Sequence, residues 1–212
     1  SWSDMPLNPT HTMLTPEFVQ ALLADVESDR IERTISTSNT DKFAQAICAF
    51  ANDLPRHAQP GYLIIGADDR GRPCGLHISD QLLQNLGALR ADGNILPLPA
   101  MTVSKIGLPD GEVAVVQVQP SDLPPVRYKG QIWVRVGPRK AIANEQEERL
   151  LMERRVAQAR SFDAQPCLEA TLDDLDADKF LLLYRKRAIA PDVIAANGRT
   201  LAQQLAGLRF FN

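Results

Sequence analysis

The chain has 212 residues, 44% hydrophobic and 23% charged. That composition excludes a disordered chain, and at about 150 residues per domain it holds one large or two small domains. Lys and Arg number 23 against 26 Asp and Glu, a net charge of -3, so nucleic-acid binding requires a local basic patch rather than a basic chain. No run approaches the roughly 18 apolar residues of a membrane span, and the N-terminus lacks the basic and apolar regions of a signal peptide. Three widely spaced cysteines, Cys48, Cys74 and Cys167, fit reduced cytosolic thiols better than a disulfide framework or a zinc site, so the expected location is the cytoplasm.

Residues 1–14, with Pro6 and Pro9, read as an irregular arm. Thr15-Pro16-Glu17 is a helix start, Thr as N-cap and Pro at the first helical position. The helix should run to about Asp25 with Phe18, Ala21, Leu22 and Val26 on one face. Residues 30–36 (RIERTIS) alternate and predict a strand. Ser38–Asp41 opens a second helix, apolar nearly all round, that closes at Leu54-Pro55 and should be buried. Residues 61–67 (GYLIIGA) form a continuous apolar run, the pattern of a central strand covered on both faces. A turn at 68–71 and a short strand at 73–78 then suggest a β-hairpin.

A third helix is expected over 81–90, loop over 91–99, and strands over 101–108, 112–119 and 131–136. A long helix over 144–160 has an acidic first turn and a basic end, which suits the helix dipole. Residues 163–178 carry six acidic residues and no Lys or Arg, so a boundary is placed near Ser161, with helices beyond it at 175–187 and 199–208. The apolar end at 208–212 and a first residue other than Met point to a fragment of a longer protein. The expected architecture is therefore an arm (1–14), one α/β (α+β) domain (15–160) with a mixed sheet and flanking helices, and the start of a C-terminal region (161–212).

Two clusters could carry chemistry. Arg127, Lys129, Arg135, Arg139 and Lys140 place five positive charges and no acid between Pro125 and Lys140. On the strand QIWVRV, a period of two puts Gln131, Trp133 and Arg135 on one face and Ile132, Val134 and Val136 on the core face. An outward Trp and Arg beside a basic loop can stack a base and hold phosphates; equally, the run is a solvated sheet face with Trp133 covered by a helix.

The second cluster is Glu27, Glu32 and Asp68. Asp68 follows the apolar strand, at the carboxyl end where α/β proteins place sites. Converging carboxylates would bind Mg2+ or Mn2+ and activate water for phosphodiester cleavage. Glu27 and Glu32 are five apart, which suits neither one helix face nor one strand face, so they converge only if the chain bends near Ser28-Asp29. The bland alternative is a capping Glu, a surface Glu and a turn Asp. There is no phosphate-binding GxxxxGK[ST], no GxGxxG and no GxSxG elbow. His11, His57 and His77 are isolated, and Cys48 reads as core.

Several motifs in order also resemble a known family. Glu27-Ser28-Asp29-Arg30-Ile31-Glu32 is similar to the E-S-x-x-x-E opening of the AlbA-type, or Schlafen AlbA, domain. Residues 47–52 (ICAFAN) resemble its A-F-A-N helix end, and 61–69 (GYLIIGADD) its G-x-L-x-I-G-V-x-D strand. Gly71 and Gly75-Leu76 match the turn that follows. Residues 124–128 and 133–137 resemble its P-x-Y and Y-x-R-x-G segments. The similarity covers about 25–155. It departs at Glu32-Arg33-Thr34, where the family has E-F-K, and at Pro60-Gly61, where it has G-G.

The resemblance implies a DNA-binding α/β module at the N-terminus of transcriptional-regulator-like or RecG-like helicase-related proteins. In animal Schlafen proteins the carboxylates matching Glu27, Glu32 and Asp68 form a metal-dependent RNA-cleaving site. Three expectations follow. The first is a nucleic-acid binder, DNA favoured over RNA, using Arg127, Lys129, Trp133, Arg135, Arg139 and Lys140. The second is a divalent-metal nuclease using Glu27, Glu32 and Asp68 with Mg2+ or Mn2+. The third is an interaction module forming a homo-oligomer through the 144–160 helix and the apolar C-terminal end.

Overall fold

The computed structural model describes residues 13–163. The chain divides into two compact units, Ser1–Val156 and Ala157–Asn212, and the fold below is that of the first. The expected helices at 175–187 and 199–208 lie outside the described residues, as does most of the N-terminal arm. Among the described residues, no helix is long and apolar enough to cross a membrane.

The fold is mixed α+β. Its main sheet has four strands in the order β1 (Ile31–Thr34), β2 (Gly61–Ile65), β5 (Gly111–Val118), β4 (Met101–Leu108). β1 and β2 are parallel, and the other pairings are antiparallel. The run GYLIIGA is central, as expected, and every residue of β2 is buried. A strand walled in on both faces excludes polar side chains, which is why the run is continuous rather than alternating.

Two helices cover the faces. α1 (Pro16–Ala24) starts on Thr15, whose hydroxyl accepts the Phe18 N–H, and packs Val19, Leu22 and Leu23 against Ile31, Tyr62, Ile64 and Val115. The expected Val26 contact does not form: the helix ends before it and Val26 is 50% exposed. α2 (Thr40–Asn52) is capped by Asn39 and buries Phe43, Ile47 and Phe50 against Leu63, Ile65 and Val116. Phe50 lies directly on Gly61, where an added Cβ would fall 2.2 Å from the ring, so the close approach of α2 to β2 requires glycine there. α3 (Asp80–Ala88), capped by Ser79, adds Leu82 and Leu86 to the same core.

Smaller pieces differ from expectation. Residues 73–78 form no strand: one bridge joins Ala67 and Pro73, after which the Ile78 N–H is taken by the Glu112 carboxylate. The expected loop 91–99 contains a short strand, β3 (Ile95–Leu96), paired with β6 (Arg127–Tyr128). Trp133–Val136, β7, turns back on an unexpected partner, β8 (Arg139–Ile142). The long helix α4 spans Glu145–Asp163 and buries Leu151 with Ile132 and Val134.

Candidate nucleic-acid interface around beta strand 1

β1 is a short edge strand whose side chains alternate between two jobs. Ile31 and Arg33 face α1; Glu32 and Thr34 face α2. The Arg33 guanidinium donates to the carbonyls of Leu22 (2.9 Å), Leu23 (3.2 Å) and Asp25 where α1 ends; the Leu22 carbonyl also accepts the Asp25 N–H. A cation there satisfies those groups and the negative end of the helix dipole. Gly71 approaches the same place. An added Cβ would sit 1.9 Å from the Leu23 carbonyl oxygen, and φ is +78°, so this turn accepts only glycine.

Glu32 is held from the other side by the β7–β8 hairpin. Arg135 and Lys140 are directly opposite one another across that hairpin, and both reach Glu32. Arg135 Nη1 donates to Oε2 at 2.6 Å, and Lys140 Nζ donates to Oε1 at 2.6 Å. Arg135 also donates to the carbonyls of Asp29 (2.8 Å), Ile31 (3.2 Å) and Pro138 (3.1 Å), and its guanidinium lies 5.1 Å from the centre of the Phe50 ring. Four acceptors and an aromatic face satisfy a guanidinium that is only 4% exposed. Burial pulls its pKa below the usual arginine value, against the raising effect of Glu32.

The expectation of an outward Arg135 is therefore corrected. Val134 and Arg135 are both buried, whereas Val136 is 57% exposed. Ordinary alternation fails at Arg135 because this side chain is long enough to turn under the hairpin and reach β1. Trp133 is half-buried against the α2 core, and its indole N–H has no partner among the described residues.

The other expected cations vary. Arg127 pairs with Glu148 at 3.1 Å, and Lys129 with Asp41 at 3.1 Å, both pairs solvent-exposed. Asp41 also accepts the Tyr128 hydroxyl, and that hydrogen bond, ahead of Lys129, holds its carboxyl below the usual range. Arg139 is exposed on β8. Lys42, absent from the expectations, is exposed in the first turn of α2, and Lys140 Nζ donates to its carbonyl at 3.2 Å. Lys140 thus meets Lys42 beside an open groove of about 270 Å3 whose lining includes Lys42, Glu32, Thr34 and Asp68, and Arg139 stands exposed next to Lys140 in sequence.

The carboxylates do not form the expected metal site. Among the described residues, no three Asp, Glu, His or Cys side chains come together as metal ligands. Glu32 and Asp68 line one groove, but Glu27 is exposed and does not line it. Both Glu32 oxygens already carry a cation. Asp68 accepts the N–H groups of Arg70 and Arg72 at 2.9 Å each, and the Arg72 N–H in particular holds its carboxyl below the usual range. It is the opening residue of a turn, and its carbonyl accepts the Gly71 N–H. Mg2+ or Mn2+ does not fit this donor set, because Arg135 and Lys140 occupy the oxygens it would need.

The sequence profile of the Schlafen, AlbA_2 family matches residues 27–144, more than half of the chain. The chain belongs to this family. Its strand-helix-strand unit β1–α2–β2 and the β7–β8 hairpin fall inside the match. The solution structure of the N-terminal domain of an ATP-dependent DNA helicase RecG-related protein from Nitrosomonas europaea is similar at 25% identity with a TM-score of 0.42, over 51% of this chain and 74% of that one. The DIP2311 protein of Corynebacterium diphtheriae is similar at 19% identity with a TM-score of 0.42, over 80% of this chain and 36% of that one. No curated protein sequence matches the chain significantly.

A residue missed as functional in the sequence is Asn52, the last of the AlbA_2-like A-F-A-N segment. Its amide donates to the carbonyls of Val126 (2.9 Å) and Trp133 (2.7 Å), and its oxygen accepts the Val126 N–H (2.6 Å). One buried side chain therefore ties α2 to both the loop before β6 and the start of the basic hairpin. Cys48, one turn earlier, donates to the same Val126 carbonyl at 3.2 Å, and burial pushes its thiol up to about 12. A thiol this hard to ionise is a poor nucleophile. Iodoacetamide at pH 8 should leave the Cys48 peptide unmodified in the native protein and label it after denaturation, as read by mass spectrometry.

Proposed function

We propose that this domain binds nucleic acid by its phosphates, with Lys42, Arg139 and Lys140 as the contacting cations and DNA as the preferred duplex. The observation that carries the reading is the meeting of Lys140 with the first turn of α2 at Lys42, beside a groove, with Arg139 exposed next to Lys140 on β8. Lys42 comes from α2, and Arg139 and Lys140 come from β8. The groove lies where β1 ends and α2 begins, so the positive end of the helix dipole adds to their field. Membership of the AlbA_2 family supports the same reading.

Arg127 and Lys129 are secondary contacts in this proposal. Their exposed ion pairs contribute little and can exchange a carboxylate for a phosphate. Trp133 is a packing residue that holds the hairpin, and Arg135 is its anchor. A place within a transcriptional-regulator-like or helicase-related protein remains part of the proposal. The nuclease alternative is not carried further, because Glu32 serves as the anchor for the two cations that position the hairpin.

Binding of fluorescent duplex DNA, duplex RNA and single strands across a salt series tests the proposal. Arg139→Ala should weaken binding of every sequence alike and reduce the salt slope by about one unit. Lys42→Glu with Arg139→Glu should abolish binding at moderate salt while leaving the melting temperature near that of the parent. No binding of any of these ligands at low salt would overturn the reading.

A further inference from the structure

The sheet has a second edge, β4, and among the described residues no strand pairs with its outer side. The Gln119 N–H donates to the Ala100 carbonyl, and β4 pairs with β5 residue for residue from Met101↔Val118 to Leu108↔Gly111. In an antiparallel ladder bonded pairs alternate, so Thr102, Ser104, Ile106 and Leu108 turn their backbone groups to β5. Met101, Val103, Lys105 and Gly107 turn theirs outward. Among the described residues, no hydrogen bond engages those outward groups. The strand runs eight residues without proline or bulge. Lys105 is its single charge. Folded proteins normally blunt such an edge, since it is a template for another strand.

We infer that β4 pairs with β4 of a second copy of this chain, antiparallel across a twofold axis at Ser104. The register follows from the edge itself. With the axis at Ser104, Val103 lies opposite the partner's Lys105, and Met101 opposite the partner's Gly107. All four outward residues then find partners. Moving the axis to Lys105 would set lysine against lysine, which is unfavourable in a cross-strand pair. Moving it to Val103 would set Gly107 against the partner's Pro99, which has no N–H.

Charge complementarity at the ends favours the same occupant. Continuing the register brings the β4–β5 turn of one copy, Pro109-Asp110, to the start of β4 in the other, at Leu98 and Pro99. There Arg90 donates from Nε to the Pro99 carbonyl at 3.2 Å, beside a pocket of about 230 Å3 that Met101 and Gln117 also line. The Gln117 side-chain NH2 is buried without a hydrogen-bond partner among the described residues, and Leu98 is 57% exposed. Asp110 is exposed at the tip of its turn. The twofold sets the partner's Asp110 opposite Leu98, on the side where Arg90 holds the Pro99 carbonyl, and the partner's Pro109 opposite Pro99, at both ends. The result is one continuous eight-stranded sheet across two chains.

Sedimentation velocity of the full chain, freed of nucleic acid, tests this together with hydrogen exchange of the 101–108 segment against protein concentration. The expected results are a reversible dimer and amide protection in this segment that rises with concentration. Lys105→Pro should give a monomer with the parent's circular dichroism spectrum, because its N–H points away from β5. Arg90→Asp or Asp110→Arg alone should weaken the dimer about tenfold, since each breaks two ion pairs and opposes like charges, and combining them should restore it. A parent that stays monomeric with β4 amides open at every concentration overturns the inference and leaves the edge to a different partner. A Lys105→Pro variant that dimerises like the parent, or a double charge swap no tighter than either single one, overturns it as well.

Discussion

Arg135→Ala is expected to destabilise the domain by about 3–5 kcal/mol, the cost of removing one partner from a buried ion pair. The guanidinium is 4% exposed and donates to Glu32 and to three backbone carbonyls on two separate segments. Its loss leaves the Asp29 and Ile31 carbonyls without that donor, empties the face of Phe50, and leaves Lys140 as the remaining cation on Glu32. Urea denaturation should show the midpoint falling with little change in slope. Any loss of nucleic-acid affinity should follow from a displaced hairpin, and should therefore fade when binding is measured at low temperature, well inside the folded range. Arg135→Met should recover part of the stability, since its side chain keeps the apolar stem packed on Phe50. A variant as stable as the parent would show that the hairpin is held by packing alone.

The same residue shows what the sequence reveals and what it hides. Period and length decide whether a segment is strand or helix, and these were legible. GYLIIGA reads as a central strand because a doubly covered strand has no polar face. FAQAICAFA reads as a buried helix for the same reason, and both lie where expected. Thr15 caps its helix as expected because its hydroxyl is local to the N–H it accepts. The legible features are those settled within about four residues.

The site depends on pairs far apart in sequence. Arg135 and Glu32 are 103 residues apart, and Lys140 and Glu32 are 108 apart. Charge counting sees five cations between Pro125 and Lys140 but not the carboxylates that meet them. Glu32 receives two, while Asp41 and Glu148 receive one each. A basic run thereby becomes four cations engaged by carboxylates, two of them in exposed pairs, with Arg139 exposed beside them. Lys42 went unnoticed because it stands alone in the sequence and joins the others only once α2 and β8 are packed together. The carboxylates mislead in the opposite direction: Glu32 and Asp68 do line one groove, but an ion pair takes both Glu32 oxygens and a turn takes Asp68 Oδ1.

Asn52→Ala is expected to cost about 3–4 kcal/mol, at the upper end for loss of a buried hydrogen-bonding side chain. The side chain is 2% exposed and makes three hydrogen bonds to backbone groups and a longer one to the Cys48 sulfur. After truncation, the Val126 N–H and the Trp133 carbonyl lose their partner in a dry site, while the Val126 carbonyl keeps the weaker Cys48 thiol. Asn52→Asp separates shape from chemistry. The carboxylate can still accept the Val126 N–H, but it cannot donate, so it faces the carbonyls of Val126 and Trp133 with a negative charge. Its ionisation would be opposed both by burial and by those two oxygens. Stability of the Asp variant should therefore rise as pH falls through its raised folded-state pKa, where the protonated acid can donate one hydrogen bond. The parent should show no such gain, because an amide does not titrate. Thermal melts of both proteins from pH 5 to 8 give the comparison. If the Asp variant loses stability in parallel with the parent on acidification, Asn52 is not the donor that fastens the hairpin to α2. If it gains, the A-F-A-N helix end fixes the position of the basic hairpin through one amide.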